Sequence, residues 1–373
     1  MIFQSVKFEK VRIPNGLTVK CVLKADGLKA QATAPYGTSA GKHEVSSFSS
    51  FGLDAAIKKF PELKGMSFKN LKELEVEILK HDNSSFNKIG GNLVLSLSIA
   101  YLRILAKSKN KELFQLFSGK SVPNQLGKIV GGGKHASKGP DFQEFLAYSK
   151  KPFNEAVKLN KLFHKRAGEL FNSSTLDLEG GWVVNVNEEK VLSVLSDLRD
   201  DSFPEIKLGL DIAASSFYKN NKYVYKNRIL GPKAQLEFVL GLISKHKLFY
   251  VEDPFQEDDF NSFSELQSRT KSLICGDDLL VTNPERLNVA VGKRSCTAAI
   301  VKPNQIGLVS RTFDFVKNCK KNGVEPVFSH RSKESLDDFL ADLSVGSRIM
   351  KIGIVGKERE SKIKRLKKID SLI

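Results

Sequence analysis

The segment IKLGLD, residues 206–211, begins a pattern that the chain repeats four more times. Each repeat is an apolar run of strand length that ends in an ionisable residue and precedes a stretch with helical spacing. The later runs are LFYVE (248–252), LICGD (273–277), AIVK (299–302) and VFSH (327–330). By residue number the ionisable ends are 41, 25, 25 and 28 positions apart, and the last three intervals fit one strand, one helix and two loops.

Repeated βα units with nearly continuous apolar strands predict a parallel sheet that is covered by helices. The number of units favours a closed (β/α) barrel over an open, doubly wound sheet. In a barrel the carboxyl ends of the strands meet at one mouth, where catalytic groups collect. The side chains expected at this mouth are Asp211, Glu252, Asp277, Lys302 and His330.

The first third of the chain has a different pattern. Residues 1 to about 50 are predicted to contain short strands, over 18–23 and 30–34, interrupted by turn residues, and helices follow to about residue 117. The clearest helix is LVLSLSIAYLRILAKS (93–108), which glycines at 90 and 91 precede. Val122-Pro123-Asn124 interrupts the helical pattern. The sequence therefore predicts an N-terminal α+β domain over 1–120 and a barrel domain over 121–373.

The cysteines and the hydrophobic runs indicate the cellular setting. The four cysteines are scattered without a CxxC pair, and the first residues lack the apolar core of a signal peptide. No uncharged apolar run reaches the roughly 18 residues that a membrane span needs. We therefore expect a cytoplasmic protein without a membrane span.

The net charge of +17 suggests an anionic partner. The lysines are dispersed along the sequence, however, and no recognition helix, zinc finger or RNA-recognition signature accompanies them. The sequence thus disfavours a dedicated nucleic-acid function and is compatible with an anionic substrate.

Three of the strand ends carry carboxylates, which repel one another unless a cation lies between them. An all-oxygen ligand set suits Mg²⁺ better than zinc. A single such acid is more often a helix N-cap, but a set with this spacing favours a metal site at Asp211, Glu252 and Asp277. Lys302, at the next strand end, is a candidate base, because a nearby divalent cation lowers the pKa of a lysine.

Ten short motifs follow one another along the chain, namely GTSAGKHE (37–44), GGKHA (132–136), QEF (143–145), EGG (179–181), LDIAAS (210–215), EDPF (252–255), GDDL (276–279), VTNP (281–284), KPNQIG (302–307) and SHRS (329–332). In wording and order they resemble the motifs of the enolase family over nearly the whole chain.

The resemblance implies dehydration of 2-phosphoglycerate to phosphoenolpyruvate by a homodimer or larger homo-oligomer with two Mg²⁺ ions in each active site. The implied metal ligands are Asp211, Glu252 and Asp277 for the first ion and Ser39 for the second. The implied catalytic residues are Lys302 as base, Glu179 as acid, Glu144 as its support, and His135. The implied substrate-binding residues are Gln143, His330, Arg331, Ser332 and Lys351.

Two departures from the family pattern are Ser216 and Leu178, each at a position where an acid is usual. Leu178 removes a polar neighbour that could orient Glu179. Two other functions remain open at this point: a different proton abstraction of the enolase superfamily, and a basic, non-catalytic homologue that binds nucleic acid. Arg331 and Ser332 favour the phosphorylated substrate, since a guanidinium suits phosphate.

Overall fold

The structure is a computed structural model that describes residues 1–14, 16–38, 41–133 and 139–373. It consists of an N-terminal antiparallel sheet with helices, followed by a closed barrel. The expected boundary at 120/121 lies between a short 3₁₀ turn, Leu113–Leu116, and the first barrel strand, which begins at Asn124.

Three antiparallel strands form the N-terminal sheet in the order β1-β2-β3. They are β1 (Phe3–Ile13), β2 (Gly16–Ala25) and β3 (Leu28–Thr33). The two predicted strands correspond to β2 and β3, whereas β1 was not predicted. Only Phe3 of β1 is fully buried, because this edge strand leaves most of its side chains partly in solvent. A polar edge strand lacks the alternation that identifies a half-buried strand.

Three helices cover this sheet, namely α1 (Leu53–Lys59), α2 (Leu71–His81) and α3 (Gly91–Ser108). Helix α3 is the one predicted from its spacing, and it begins two residues earlier than the predicted range. Gly90 precedes it with φ of 82°, a conformation that glycine adopts without steric penalty. Fourteen of its 18 residues are buried, so it is the central helix of this part.

Eight strands close the barrel in the described part of the chain, with β15 paired to β4. They are β4 (Asn124–Gly131), β5 (Glu144–Ser149), β7 (Ile206–Asp211), β11 (Tyr250–Glu252), β12 (Leu273–Gly276), β13 (Ala298–Val301), β14 (Glu325–Ser329) and β15 (Ile349–Lys351). Neighbouring strands are parallel except β5, which is antiparallel to both β4 and β7. The predicted repeats correspond to β7 and β11–β14.

Helices surround the barrel in the order expected of βα units. They are α4 (Phe153–Leu170), α5 (Glu188–Ser202), α6 (Pro232–His246), α7 (Phe260–Ser268), α8 (Pro284–Lys293), α9 (Pro303–Ile306), α10 (Val309–Lys321), α11 (Phe339–Ser344) and α12 (Lys357–Asp370). Strand β6 (Trp182–Val183) adds to β4, and β8 (Tyr218–Lys219), β9 (Lys222–Val224) and β10 (Ile229–Leu230) form a small separate sheet. Across the described residues, no helix has both the length and the apolar character that crossing a bilayer requires.

Two of the polar links between the N-terminal part and the barrel come from α2 and α3. Glu75 of α2 is buried and accepts the backbone N–H of Val309 (2.8 Å) at the start of α10. Arg103 of α3 donates to Asp337 (2.7 and 2.9 Å) and to Asp338 (2.8 Å), just before α11. A charged group that is withdrawn from water needs such partners, so these links fix how the two parts meet.

Candidate functional site

The mouth of the barrel contains a small polar cavity of about 70 Å³ at the carboxyl ends of the strands. Every described residue that was predicted for the site lines this cavity except Glu252, which lies fully buried at the end of β11. The lining side chains from the prediction are Gln143, Glu144, Glu179, Asp211, Asp277, Lys302, His330, Arg331, Ser332 and Lys351. Ser39 and His135 lie outside the described residues.

The reversed strand β5 explains why Glu144 reaches the mouth. Glu144 is the first residue of β5, so the amino end of an antiparallel strand meets the carboxyl ends of the others. It is directly opposite Asp211 on β7 and Gly131 on β4. The repeated pattern of apolar runs with ionisable ends does not contain this strand, and only the QEF segment indicated it.

Lys351 occupies the centre of the site. Its Nζ donates to Asp211 (2.7 Å) and Glu252 (2.8 Å) and lies 3.4 Å from Glu144. Burial alone would lower the pKa of Lys351, but Asp211, Glu144 and Glu252 raise it well above its usual value. The side chain is therefore a fixed positive charge among buried carboxylates.

Lys302 forms an ion pair with Asp277. Burial would lower the pKa of Lys302, yet Asp277 outweighs burial and raises it, so this lysine is protonated in the geometry described. Asp277 also accepts a hydrogen bond from Gln305 Nε2 (2.8 Å), and its pKa is lowered because Lys302 outweighs the effect of burial. The pKa of Lys302 can therefore fall, as the sequence predicts, only if another cation replaces Lys302 beside Asp277.

Two compact groups of side chains within the described residues could hold a metal ion. One group is Glu144, Glu179 and His330, and the other is Asp253, Asp277 and Asp278. The predicted trio is arranged differently: Asp211 and Glu252 share Lys351, while Asp277 faces Lys302. Burial and the neighbouring Asp211 nevertheless raise the pKa of Glu252 to about 8. This raised pKa indicates that the carboxylates around Glu252 have too little positive charge beside them. An oxygen-rich, charge-deficient set of this kind fits a hard divalent cation.

Lys128 of β4 holds the acidic side of the site together. Its buried Nζ lies 2.7 Å from Glu179, 2.8 Å from Asp177 and 3.8 Å from Glu144. Burial alone would raise the pKa of Glu179, but the Lys128 ammonium holds it well below its usual value. Burial raises the pKa of Glu144 to about 7. A proton therefore binds more readily to Glu144 than to Glu179.

A neighbouring residue compensates for the missing acid at position 178. Leu178 is exposed, and Asp177 takes the polar role instead. Asp177 accepts the backbone N–H of Glu179 (2.9 Å) and of Gly181 (2.9 Å) while it pairs with Lys128. The loop that carries Glu179 is thus anchored by a carboxylate one residue earlier than the family pattern suggested.

Two of the remaining predicted side chains, Arg331 and Ser332, contact the loop that contains Thr38 and Glu44. Arg331 donates to Glu44 (3.0 Å), and the Ser332 hydroxyl accepts the backbone N–H of Thr38 (2.9 Å). The Nε of Arg359 donates to His330 Nδ1 (3.3 Å). Burial and the Arg359 charge hold the pKa of His330 well below its usual value, so His330 is neutral.

Several side chains of the site were missed from the sequence. Asp253 and Gln305 lie inside segments that matched the family, EDPF and KPNQIG, but the match gave them no role. Asp253 accepts the backbone N–H of Asp277 (2.9 Å) and of Asp278 (2.8 Å) and so shapes the turn that carries them. Lys128 and Arg359 had no usable signal, since the chain contains 59 lysines and arginines.

The fold and the site define a barrel enzyme with acids and lysines at its strand ends, arranged for removing a proton near an anionic group. Residues 120–373 match the family described as Enolase, C-terminal TIM barrel domain. The chain is 35% identical to the enolase of Picrophilus torridus over 91% of this chain and 90% of the relative. It is 34% identical to the enolase of Thermoplasma acidophilum, with 99% and 98% covered, and 36% identical to that of Pyrobaculum aerophilum, with 95% and 91% covered. The chain belongs to the enolase family.

Proposed function

We propose that the protein catalyses the reversible dehydration of 2-phosphoglycerate to phosphoenolpyruvate, the hydro-lyase step of glycolysis and gluconeogenesis. The observation that carries the proposal is one mouth that combines Lys302, the Glu144–Glu179 pair and the buried Arg331. These groups suit, respectively, proton removal, proton donation and phosphate binding. The three relatives named above, which are close to this chain in length, are all named enolases, and this supports the reaction over another superfamily reaction.

Asp211, Glu252 and Asp277 would hold one Mg²⁺, and Ser39 would contribute to a second. The raised pKa of Glu252 supports a cation here, because it reports carboxylates that lack sufficient positive charge. When bound, Mg²⁺ would neutralise the charge that develops on the substrate carboxylate.

Lys302 serves as the base that removes the C2 proton. Its Nζ must be neutral when it does so, and the Asp277 ion pair opposes neutrality. The base is therefore competent only after Asp277 has exchanged Lys302 for another partner. Lys351 is fixed beside Asp211, and we assign it to the carboxylate of the substrate.

Glu179 acts as the acid that protonates the leaving hydroxyl, and Glu144 supports it. Glu144 supplies a place for a proton close to Glu179, since its pKa is about 7. Lys128 orients the Glu179 carboxylate through a 2.7 Å contact. The departing group leaves as water once it has received this proton, while the electron pair from the broken C2–H bond forms the double bond.

Arg331 and Ser332 bind the phosphate in this assignment, and Gln143, His330 and His135 complete the pocket. Arg331 and Ser332 contact Glu44 and Thr38 in the structure, so an arriving phosphate would compete with that loop. A bidentate guanidinium–phosphate contact is strong enough to do this. The role of His135 rests on the family resemblance.

The cellular setting and the assembly are part of the proposal. We assign the enzyme to the cytoplasm, in keeping with four free, buried cysteines, and we expect a homodimer or a larger homo-oligomer. Light scattering on the purified protein measures the assembly, and a monomeric mass at micromolar concentration would contradict it.

The test of the reaction is the absorbance of the enol product when purified protein receives 2-phosphoglycerate and Mg²⁺. We expect turnover that EDTA abolishes and added Mg²⁺ restores. A control variant is Lys317→Ala, which removes an exposed lysine of α10 that lies outside the site and should leave turnover unchanged. Folded protein without turnover on 2-phosphoglycerate would exclude the proposed reaction.

A further inference from the structure

A large cavity lies at the opposite end of the barrel from the candidate active site. It has a volume of about 1200 Å³ and is formed where strands β7, β12 and β15 begin and where the reversed strand β5 ends. We call it the basic cavity. None of its lining residues belongs to the mouth described above. The proposed dehydration therefore gives it no role.

Seven basic side chains line the basic cavity against two acidic ones, Glu155 and Asp370. The basic side chains are Lys120, Lys150, Lys151, Lys207, Lys247, Lys271 and Arg348. Among the described residues only Lys151 and Arg348 have ion-pair partners, Glu205 at 3.7 Å and Glu325 at 2.5 Å. Five exposed ammonium groups are thus left for an external anion.

The fold gathers charges that are far apart in the sequence. Lys120 and Lys271 are 151 positions apart by residue number, yet both reach the same cavity because the starts of neighbouring barrel strands meet at one end. The lysines are dispersed in the sequence, but the fold brings several of them together at this end of the barrel. Their dispersal along the chain therefore does not disfavour a nucleic-acid partner here.

An aromatic pair forms part of the cavity wall. The rings of Tyr148 and Phe249 stack with centroids 5.0 Å apart and planes inclined by 22°. Tyr148 is buried, whereas Phe249 is partly exposed. A partly exposed ring offers a surface on which a flat base can pack.

The size and the charge of the basic cavity favour one kind of anionic ligand. The basic groups come from separate segments of the cavity lining, so they match phosphates spaced along a chain better than one compact anion. A cavity above the usual range of roughly 300–1,000 Å³ for small-molecule sites also favours part of a polymer. A double helix keeps its bases inside the stack, whereas a single strand can present both phosphates and bases.

We propose that the basic cavity binds a short stretch of single-stranded nucleic acid, with phosphates on its lysines and a base against Phe249. This site is independent of the proposed dehydration and lies on the other face of the barrel. Its binding is electrostatic in large part, so it weakens as salt increases.

The test uses the full-length protein and a fluorescein-labelled, single-stranded 12-nucleotide RNA of mixed sequence, with binding followed by fluorescence anisotropy. The cavity variant is Lys207→Glu/Lys247→Glu/Lys271→Glu. The matched control is Lys24→Glu/Lys64→Glu/Lys72→Glu, which reverses three exposed lysines of the N-terminal part and changes the net charge equally. We expect the cavity variant to bind at least about tenfold more weakly and the control to change less than about twofold. Equal weakening in both, or none in either, would overturn the proposal.

A second variant tests the base contact. Phe249→Leu keeps an apolar side chain of similar bulk but removes the aromatic face, and should weaken RNA binding about fivefold or more. Inorganic polyphosphate of matched charge is the comparison ligand and should bind this variant as it binds the unchanged protein. Unaltered RNA binding by folded Phe249→Leu, or an equal loss of RNA and polyphosphate binding by this variant, would remove the base contact from the site and overturn the proposal.

Discussion

Lys302 and Glu179 have separate roles in the proposed reaction, and variants can separate them. Lys302→Ala should abolish both product formation and exchange of the C2 proton with D₂O, because its Nζ is the assigned base. Glu179→Gln should lower dehydration by about 10²–10⁴-fold while exchange persists, since proton removal precedes loss of the hydroxyl. NMR in D₂O measures both rates. Exchange that survives Lys302→Ala would require another base.

Lys128 stabilises the fold as well as the acid. Lys128→Met would leave the buried Glu144 and the partly buried Asp177 and Glu179 without their shared cation, so we expect a loss of about 3–5 kcal/mol in the free energy of unfolding. Urea denaturation measures this loss. Lys128→Met combined with Asp177→Asn should recover part of it, because one of the opposing charges is gone. A double variant as unstable as the single one would place the effect in packing instead.

At the scale of elements, Asp82 links the end of α2 to the turn before α3. Its carboxylate accepts the backbone N–H groups of Ser84 (3.0 Å), Lys88 (2.9 Å) and Ile89 (2.9 Å). Burial would raise the pKa of Asp82, but the hydrogen bonds from Ser84 and these N–H groups outweigh burial and lower it. The turn therefore depends on an ionised carboxylate.

Asp82→Ala should lower the free energy of unfolding by about 1–3 kcal/mol near neutral pH. A lowered pKa in the folded state gives stability that is present above the ordinary value of 3.8 and is lost as the pH falls through the folded-state pKa. The difference between the unchanged protein and Asp82→Ala should accordingly shrink below about pH 4. Urea titrations at several pH values test this, with Asn83→Ala, a change at an exposed residue of the same turn, as the control. A difference that is constant with pH would mean that Asp82 acts without its charge.

The elements also show how far the sequence could predict the structure. Strands β7 and β11 to β14 were predicted because each is an apolar run with an ionisable end, and Glu144 only because its segment resembled a family motif. The reversed direction of β5 and the presence of β1 were not predicted, since neither leaves a distinctive periodicity. Lys128 could not be predicted for another reason. Its role depends on three carboxylates that come from β5 and from the loop near residue 178. Contacts between segments that are distant in sequence leave no local pattern.

At the scale of the whole molecule, Arg103 fastens the N-terminal part to the barrel. Arg103→Ala would remove charge-assisted hydrogen bonds to Asp337 and Asp338, and we expect the free energy of unfolding to fall by about 3 kcal/mol. The matched control is Arg12→Ala, an exposed arginine without an ion pair among the described residues. Differential scanning calorimetry compares the variants. An equal change in both would show that the links to Asp337 and Asp338 add nothing to stability.

The reversed strand β5 also has a consequence for how the chain folds. Because β4 and β5 pair as neighbours in sequence, with the residues 132–143 between them, their contact closes a short loop. The contact between β15 and β4 instead joins Lys351 to Leu126, across nearly the whole barrel sequence. Loop closure favours early formation of the first contact and late formation of the second. Ala147→Gly in β5 should therefore slow refolding, whereas Ile349→Val in β15 should chiefly speed unfolding. Stopped-flow kinetics measures both rates. If the β15–β4 contact formed first, the effects of the two variants would be exchanged.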